Sequence, residues 1–499
     1  MRRLLSTAAV LACAALLAAG CGGDDSSGGA LESALAYVPA DSPFVVVLES
    51  DVEGDQYQAL DDIVGRFPGG DSIKQQLLRE LEGGDENVSY EDDVKPLLGN
   101  PFVVSGTDPA SLLDGADDSP FIAAVQVPDP DALDGLLEKT DPEEQGEVSG
   151  ATVYGDDGAS FAVEDDMVVL ASTRELLESA LERADGGDSL ELDTFESGLA
   201  GLPEESIARL YFDLQAVIEE DPDTAVARRI DWVSALRTLG MTASVEEDSI
   251  EVEFNLRTDG SELDDDDLPL AAGDEAAQVV RIPGEIALSL RDPSQMIAFF
   301  ETAFQAADPQ GFGDYETGKR AISQRFGIDV DEDVFGQLTG DLSVSVAVDG
   351  AFGARAEVGD PQAFRRTIDR LAEALPQLGA GLGVTDVTRR GDLYEASLVD
   401  GGSFVFGTRG DVFVAGSNAR RAGQMASLDP EEVPDARGSL VTAADAEEVA
   451  LRVLDQVAPQ LGLGGIFGGG LFARPLDELN GSVATSTDGM RGSFRLTLD

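Results

Sequence analysis

Cysteine and histidine, two side chains widely used for nucleophilic and metal chemistry, are almost absent from this chain of 499 residues. The chain contains two cysteines, Cys13 and Cys21, and no histidine. Without histidine there is no side chain that ordinarily titrates near neutral pH, no Ser-His or Cys-His relay and no imidazole ligand for zinc. Thiol chemistry is confined to the first 21 residues. The sequence therefore predicts no catalytic residue, no metal site and no cofactor.

The chain begins with a short leader that ends in a cysteine. Arg2 and Arg3 precede an apolar run over residues 4–18, and Ala19-Gly20-Cys21 follows. This pattern resembles a bacterial lipoprotein signal peptide with its lipobox. The resemblance implies cleavage before Cys21 and a diacylglyceryl group on its sulfur. It also implies attachment to the extracytoplasmic face of the cell membrane, because the apolar run is too short to remain as a bilayer-spanning helix.

Two other interpretations of the leader stay open. Cys13 is a rival acylation site, although choosing it shortens the apolar core and leaves Leu16 and Leu17 in the tether. An ordinary secretory signal with an incidental cysteine is the other alternative. Cys21 is favoured because polar, flexible residues follow it directly. Residues 21–30 would then form a tether that reaches about 15–20 Å from the membrane.

The charge of the chain excludes several classes of partner. It has 33 basic and 97 acidic residues, for a formal net charge of −64. Such a surface repels nucleic acid and anionic lipid headgroups, so we expect membrane attachment through the acyl chains on Cys21 alone. Hydrophobic residues make up 42% of the chain, which is enough to build cores. The acidity therefore does not predict disorder, and solubility or genome bias explains it more simply than cation binding.

Two acidic clusters invite comparison with calcium sites. Residues 264–267 are four consecutive aspartates, but contiguous carboxylates do not converge on one ion, so a solvated linker is expected. Asp329, Asp331 and Asp333 mimic the start of a calcium-binding loop. Val334 stands where that loop needs glycine, and Gly340 stands where it needs glutamate. We expect no metal at either place.

An apolar, glycine-rich segment runs from Leu461 to Phe472. Its composition predicts neither a firm helix nor a firm strand. The glycine spacing does not fit a dinucleotide-binding fingerprint. Two interpretations remain: a loop packed over a sheet, which we favour, and a hydrophobic loop that contacts a partner, a lipid or an apolar ligand.

Motifs for covalent catalysis are also missing. The chain has no Gly-x-Ser-x-Gly elbow, no Ser-x-x-Lys pair and only four lysines. Paired carboxylates can hydrolyse glycosides without histidine, but no pair stands out among so many acids. Trp232 is the single tryptophan and offers little of an aromatic sugar platform. With Leu236 and Leu239 it is predicted to lie on an amphipathic helix buried in the first half of the chain.

One structural pattern occurs twice. A strand over residues 121–127 leads into Asp129-Pro130 and an amphipathic helix, and a strand over residues 352–358 leads into Asp360-Pro361 and a second one. Aspartate suits the N-cap of a helix and proline its first position. A three-strand meander follows in each half, and each half ends in a hairpin, over residues 241–256 and 483–498. The alternative to a duplication is that the two halves share only common strand and turn patterns.

The opening over residues 35–43, Leu-Ala-Tyr-Val-Pro-Ala-Asp-Ser-Pro, leads into the apolar run Phe44–Leu48. It resembles the start of an uncharacterised family of exported bacterial proteins, known only as a domain of unknown function. The resemblance extends from about Ala34 to the C-terminus. It implies no catalytic residues.

The predicted fold class is α+β, with two tandem similar domains, each a largely antiparallel sheet with helices packed on one face. The predicted boundaries are a signal peptide (1–20), a tether (21–30), a first repeat (31–257), an acidic linker (258–276) and a second repeat (277–499). The expected function is non-enzymatic: a lipid-anchored protein with a binding or structural role at the cell envelope, where its partner is an unidentified envelope protein or apolar ligand. A carrier of lipid or another apolar ligand is the first alternative, and a carboxylate-based glycoside hydrolase is the second.

Overall fold

The computed structural model describes residues 27–70, 72, 74–75, 88–106, 120–155, 160–220, 222–399, 401–457, 471 and 473–499. Cys21 and the leader lie outside the described residues, as does the segment from Leu461 to Phe472 except for Leu471. Contacts divide the chain into a first unit, Met1–Glu220 with Arg237–Arg257, and a second unit, Asp221–Leu236 with Thr258–Asp499.

The first unit is built on an antiparallel sheet of ten described strands. They are β1 (Phe44–Leu48), β2 (Phe102–Gly106), β3 (Phe121–Gln126), β4 (Glu144–Val148), β5 (Ala151–Gly155), β6 (Ser160–Glu164), β7 (Met167–Ala171), β8 (Ala208–Asp213), β9 (Leu236–Val245) and β10 (Ser249–Thr258). Their spatial order is β4-β5-β6-β7-β3-β2-β1-β8-β9-β10. The strand β1 therefore lies inside the sheet, between β2 and β8.

Helices cover both faces of the first sheet. They are α1 (Ser27–Leu35), α2 (Asp55–Arg66), α3 (Pro130–Thr140), α4 (Arg174–Gly186), α5 (Leu192–Leu199) and α6 (Leu214–Glu220). Helices α1, α4 and α5 pack on the face that carries Val45 and Val47. Helix α3 packs through Leu133 on the opposite face, against Val125 and Val163. The prediction of helices on one face is wrong, because amphipathic α3 covers apolar side chains on the other side.

The second unit also has an antiparallel sheet of ten described strands. They are β11 (Ile286–Arg291), β12 (Asp341–Val346), β13 (Phe352–Glu357), β14 (Val384–Arg390), β15 (Leu393–Leu398), β16 (Ser403–Arg409), β17 (Val412–Gly416), β18 (Leu440–Asp445), β19 (Leu476–Ser486) and β20 (Gly489–Leu498). Their spatial order is β14-β15-β16-β17-β13-β12-β11-β18-β19-β20. The strand β11 lies between β12 and β18.

The helices of the second unit also lie on both faces of their sheet. They are α7 (Asp231–Ala235), α8 (Pro293–Ala307), α9 (Pro309–Phe326), α10 (Val330–Asp333), α11 (Pro361–Leu382), α12 (Ala419–Ser427) and α13 (Ala446–Val457). Helix α12 places Ala422 and Met425 against Val414 on one face. Helix α11 places Phe364 and Ile368 on the other. The α+β class and the antiparallel sheets agree with the sequence-based expectation.

Local signals in the sequence identified the starts of α3 and α11. Asp129 caps α3 by accepting the N–H of Ala132 at 3.1 Å, and Asp360 caps α11 in the same way. The α4 cap is Thr173, whose hydroxyl accepts the N–H of Leu176. Caps of this kind satisfy donors that the first turn of a helix leaves free.

Two predictions around the junction of the halves differ from the structure. The helix containing Trp232 ends at Ala235, and Leu236 already begins β9, so the predicted apolar stripe spans two elements. By its contacts this helix groups with the second unit. The segment predicted as an acidic linker folds onto the second unit: Leu268 is fully buried and its carbonyl accepts the amide of Gln295 at 2.7 Å.

Candidate functional site

The strand β11 exposes two large apolar side chains and buries small or polar ones between them, the reverse of an ordinary half-buried strand. Ile286 and Leu288 are 41% and 46% exposed, whereas Ala287 and Ser289 are fully buried. A strand with one solvated face normally buries its large aliphatic side chains, because removing them from water stabilises the fold. In β11 the small and polar residues take that place.

The neighbouring strand β12 shows the same inversion for a visible reason. Asp341, Ser343 and Ser345 point to the buried side, where their oxygens accept backbone N–H groups of an irregular segment, residues 278–282. The pairs are Gln278 with Asp341 (2.8 Å), Val280 with Ser343 (3.1 Å) and Ile282 with Ser345 (3.2 Å). Side-chain acceptors are needed here because backbone donors of a covered segment must be paired. We call this side of the second sheet the covered face.

A buried ion pair fixes the start of β11. Glu285 is 3% exposed, and its two carboxylate oxygens take different partners. One accepts the guanidinium of Arg421 on α12 at 2.6 Å, and the other accepts the hydroxyl of Ser345 at 2.9 Å. Breaking such a pair leaves a buried charge without compensation. The pair therefore holds the orientation of β11 that sends Ile286 outward.

The opposite side of the second sheet, which carries Ile286 and Leu288, is here called the open face. Helix α11 covers part of this side, where the ring of Phe364 lies 5.7 Å from that of Phe413 on β17. Side chains alternate along a strand, and directly paired residues share a side. The register therefore assigns three positions on each of six strands to it: Ile286, Leu288 and Leu290; Leu342, Val344 and Val346; Phe352, Ala354 and Ala356; Leu440, Thr442 and Ala444; Leu479, Gly481 and Val483; Gly492, Phe494 and Leu496.

The open face carries no charge at any of these positions, although 26% of the chain is charged. Ile286, Leu288 and Val346 form its exposed centre. Thr442 is the one residue with a polar side chain, and its hydroxyl donates to the carbonyl of Ala287 at 3.0 Å. Leu290, Ala356, Ala444, Gly481 and Val483 are buried, so the large exposed side chains of this face are Ile286, Leu288, Val346 and Phe494.

A polar cavity of about 920 Å³ lies in the second unit at the Asp341 end of the covered face. Among its lining residues are Arg291 and six carboxylates: Glu275, Asp292, Asp341, Glu357, Glu432 and Asp435. Burial raises the pKa of Asp341, and nearby Glu357 adds to this, while the N–H of Gln278 acts in the opposite direction. Arg291 is already paired with Glu275 at 2.7 Å.

The family model described as "Protein of unknown function (DUF3352)" matches residues 4–382. The chain belongs to this family. No curated protein matches it. Three crystal forms of TP0453 are similar in structure: form III at 11% identity, form IV at 11% and form I at 10%, each with a TM-score of 0.26. The form III match covers 46% of this chain and 82% of that one. At this TM-score the likeness supports no conclusion about the DUF3352 chain.

The acidic clusters of this DUF3352 chain serve its own fold. Asp329 caps α10 through the N–H groups of Asp331 and Glu332. Asp331 accepts the ammonium of Lys319 at 2.9 Å, and Asp333 lies 3.7 Å from Arg370. Within the described ranges, no three carboxylate, histidine or cysteine side chains converge in a group that could hold a metal ion.

Lys319 is the one buried lysine among the described residues. It contacts Glu301, Glu316 and Asp331 at 2.6–3.0 Å. Burial alone lowers the pKa of Lys319, but hydrogen bonds to these three carboxylates outweigh it and raise the pKa above its usual value. The ammonium stays protonated, so Lys319 joins α8, α9 and α10 rather than acting as a nucleophile.

Sequence reasoning singled out Cys21 and the segment from Leu461 to Phe472, which lie outside the described residues except for Leu471, which is 42% exposed. None of the helices in the described part of the chain combines the length and apolar character that a bilayer crossing requires. The open face was missed. Its signal was present as runs of alternating large apolar and small residues at 286–290 and 342–346, but alternation shows only which residues share a side and not which side is covered.

Proposed function

We propose that this chain is a lipid-anchored extracytoplasmic protein that works by binding and not by catalysis, through the open face of its second unit. The observation that supports the binding role is the exposed apolar patch of Ile286, Leu288 and Val346, on an uncharged sheet face in a chain of net charge −64. Solubility favours polar residues at such positions, so their absence needs a function.

The proposal includes a duplication of one α+β module. Adding ten to each strand number of the first unit reproduces the strand order of the second. Detail supports it too: Lys139 and Arg370 each lie nine positions after the first proline of their helix, and each pairs with an aspartate, Asp93 or Asp333. At the ends of β8 and β18, the side chains of Asp213 and Asp445 each accept the N–H of the residue three positions later.

The anchor is supported by the leader sequence and is tested by replacing the cysteines. We expect Cys21→Ser to move the protein from the membrane fraction to the soluble extracytoplasmic fraction, because acylation requires the thiol. Cys13→Ser is the matched control and leaves the protein with membranes. Unchanged fractionation of the Cys21→Ser protein contradicts the anchor, and loss with Cys13→Ser alone identifies the rival site.

A non-enzymatic role is supported by the missing histidine and nucleophile motifs. The acidic cavity is the place where a carboxylate glycosidase would have to work, and Asp341 with its raised pKa would be its acid. Its described lining contains no aromatic side chain to stack on a sugar, which favours binding over hydrolysis. Turnover of a panel of glycans and cell-wall polymers that Asp341→Asn abolishes contradicts the non-enzymatic proposal.

A further inference from the structure

We propose that the covered face of the second unit is a pH-sensitive clasp, in which the segment over residues 278–282 is held more firmly when Asp341 carries a proton. Oδ2 of Asp341 accepts the N–H of Gln278 at 2.8 Å. The N–H groups of Val280 and Ile282 bind serine hydroxyls further along β12. Asp341 is the titrating member of the three acceptors, since a serine hydroxyl keeps its proton. This inference concerns what holds the second unit and does not depend on what the open face binds.

The immediate surroundings of Asp341 disfavour its ionised form. Its other carboxylate oxygen, Oδ1, is buried, and no residue in the described part of the chain hydrogen-bonds to it. A buried charged oxygen without a donor is unfavourable, because it has lost its water and gained no partner in exchange. A proton on the carboxyl group removes most of that cost, since the neutral form is far easier to bury.

Charged groups around the cavity act on Asp341 from every side. The other carboxylates that line the cavity are Glu357 on β13, Asp292 after β11, Glu275 before the segment, and Glu432 and Asp435 before β18. Two groups favour the ionised form: the N–H of Gln278, and Arg291, which lies directly opposite Asp341 in the β11–β12 ladder. Arg291 is also paired with Glu275 at 2.7 Å, so its charge is shared. Burial outweighs these two groups, and Glu357 and Glu275 add to it, so the pKa of Asp341 lies above its ordinary value.

Opening of the segment and loss of the proton are therefore coupled. Glu275, Ala276 and Gln278 form one wall of the cavity, so removing the segment lets water reach Asp341 and returns its pKa toward the ordinary value of 3.8. Between the two pKa values the closed state binds more protons than the opened one. The stability of the closed state then rises as pH falls through the raised pKa, and the gain is complete below about pH 3.8.

Amide hydrogen exchange at Val280 and Ile282 in the full chain measures this opening, because both N–H groups are bonded only while the segment is closed. After correction for the intrinsic exchange rate, we expect their protection to rise about twofold or more between about pH 7 and about pH 4.5. Asp341→Asn imitates the protonated carboxyl group and is expected to give equal protection at both pH values. Amides of β1 are the internal reference, since acid also relieves the general repulsion in a chain of net charge −64.

Two further variants separate the clasp from general charge effects. Glu357→Gln removes a neighbouring charge that raises the pKa of Asp341, so the rise in protection should move to lower pH without disappearing. Asp386→Asn is the matched control: this exposed aspartate lies on β14, outside the lining of the cavity, and its loss leaves the pH dependence unchanged.

The inference is overturned if protection at Val280 and Ile282 does not rise relative to β1 as pH falls. It is also overturned if Asp341→Asn keeps the pH dependence of the unaltered protein. Should Asp341→Asn fail to fold, which thermal unfolding reveals, Glu357→Gln decides alone. A rise in protection that Glu357→Gln leaves at the same pH then counts against the clasp.

Discussion

The same place in the two sheets is used differently in the two units. Strand β1 lies between β2 and β8, as β11 lies between β12 and β18, yet Phe44 is 2% exposed while Ile286 is 41% exposed. On the other face, Val45 and Val47 pack in the apolar core beneath α1. The matching face of β11 is covered by a chain segment held through hydroxyl groups.

This difference indicates that one strand order can support two roles. The first unit buries apolar side chains on both faces of β1, so both faces contribute to stability. The second unit replaces part of one buried face with side-chain hydrogen bonds and keeps Ile286, Leu288 and Val346 exposed on the other. The exposed side chains of Ile286, Leu288 and Val346 therefore contribute little to the stability of the fold.

The largest expected effect comes from truncating the first residue of β1 and, for comparison, the first residue of β11. Phe44→Ala removes a buried ring whose centroid lies 6.1 Å from that of Phe212, so we expect a loss of about 3–5 kcal/mol in the free energy of unfolding. Ile286→Ala removes a side chain that is largely exposed, so we expect less than about 1 kcal/mol. Urea unfolding of both variants measures the two losses. Equal losses would mean that Ile286 is buried in solution and that the open face does not exist.

The second way is to exchange the chemistry of the two covered faces. Ser343 pairs with Ser289 as Val103 pairs with Val47, so the two positions correspond. Ser343→Val removes the acceptor for Val280 and the donor to Gln278, which is expected to cost about 1–3 kcal/mol. Val103→Ser places a hydroxyl in the apolar core of the first unit and is expected to cost about as much.

Amide hydrogen exchange measures the effect of the Ser343→Val substitution locally. The amide of Val280 should lose protection in the Ser343→Val protein, because its hydrogen bond is gone. The amides of β1 should be unaffected there. If the Val280 amide keeps its protection, the segment over residues 278–282 is held by packing alone, and the contrast between the two covered faces is wrong.

Sequence patterns were reliable where one short-range rule decides the structure. Asp129-Pro130 and Asp360-Pro361 identified two helix starts because a cap and a fixed proline φ are local properties. Three of the four strands after each of these helices were also located, since turns of glycine and aspartate separate them. The first strand of each set, β4 and β14, was missed. The α+β class followed from these elements.

The open face could not be predicted because its orientation depends on distant residues. Periodicity shows that Ile286 and Leu288 share a side of β11, but not which side is covered. That choice depends on Ser343 and Ser345 binding residues 278–282, more than 60 positions away in the chain, and on the pair of Glu285 with Arg421. The helix predicted around Trp232 was too long for a related reason. Apolar residues at helical spacing continue through Leu236 and Leu239, but these residues already belong to β9.

The smallest expected losses of stability come from removing the two ion pairs, Lys139 with Asp93 and Arg370 with Asp333. In the first unit the hydrogen bond from Lys139, with one from the N–H of Ser89, lowers the pKa of Asp93 below its ordinary value. A carboxyl with a lowered folded pKa adds stability above its unfolded pKa of about 3.9, and that stability is lost as pH falls through the folded value. Lys139→Met should therefore reduce the free energy of unfolding by less than about 1 kcal/mol at pH 7, with the deficit shrinking below about pH 4.

Arg370→Met should have a smaller effect, because Arg370 and Asp333 lie 3.7 Å apart and are both partly exposed. Urea unfolding at pH 7 and pH 3.5 compares the variants. A larger loss from Arg370→Met would show that the second unit, despite its open face, depends on this pair more than the first.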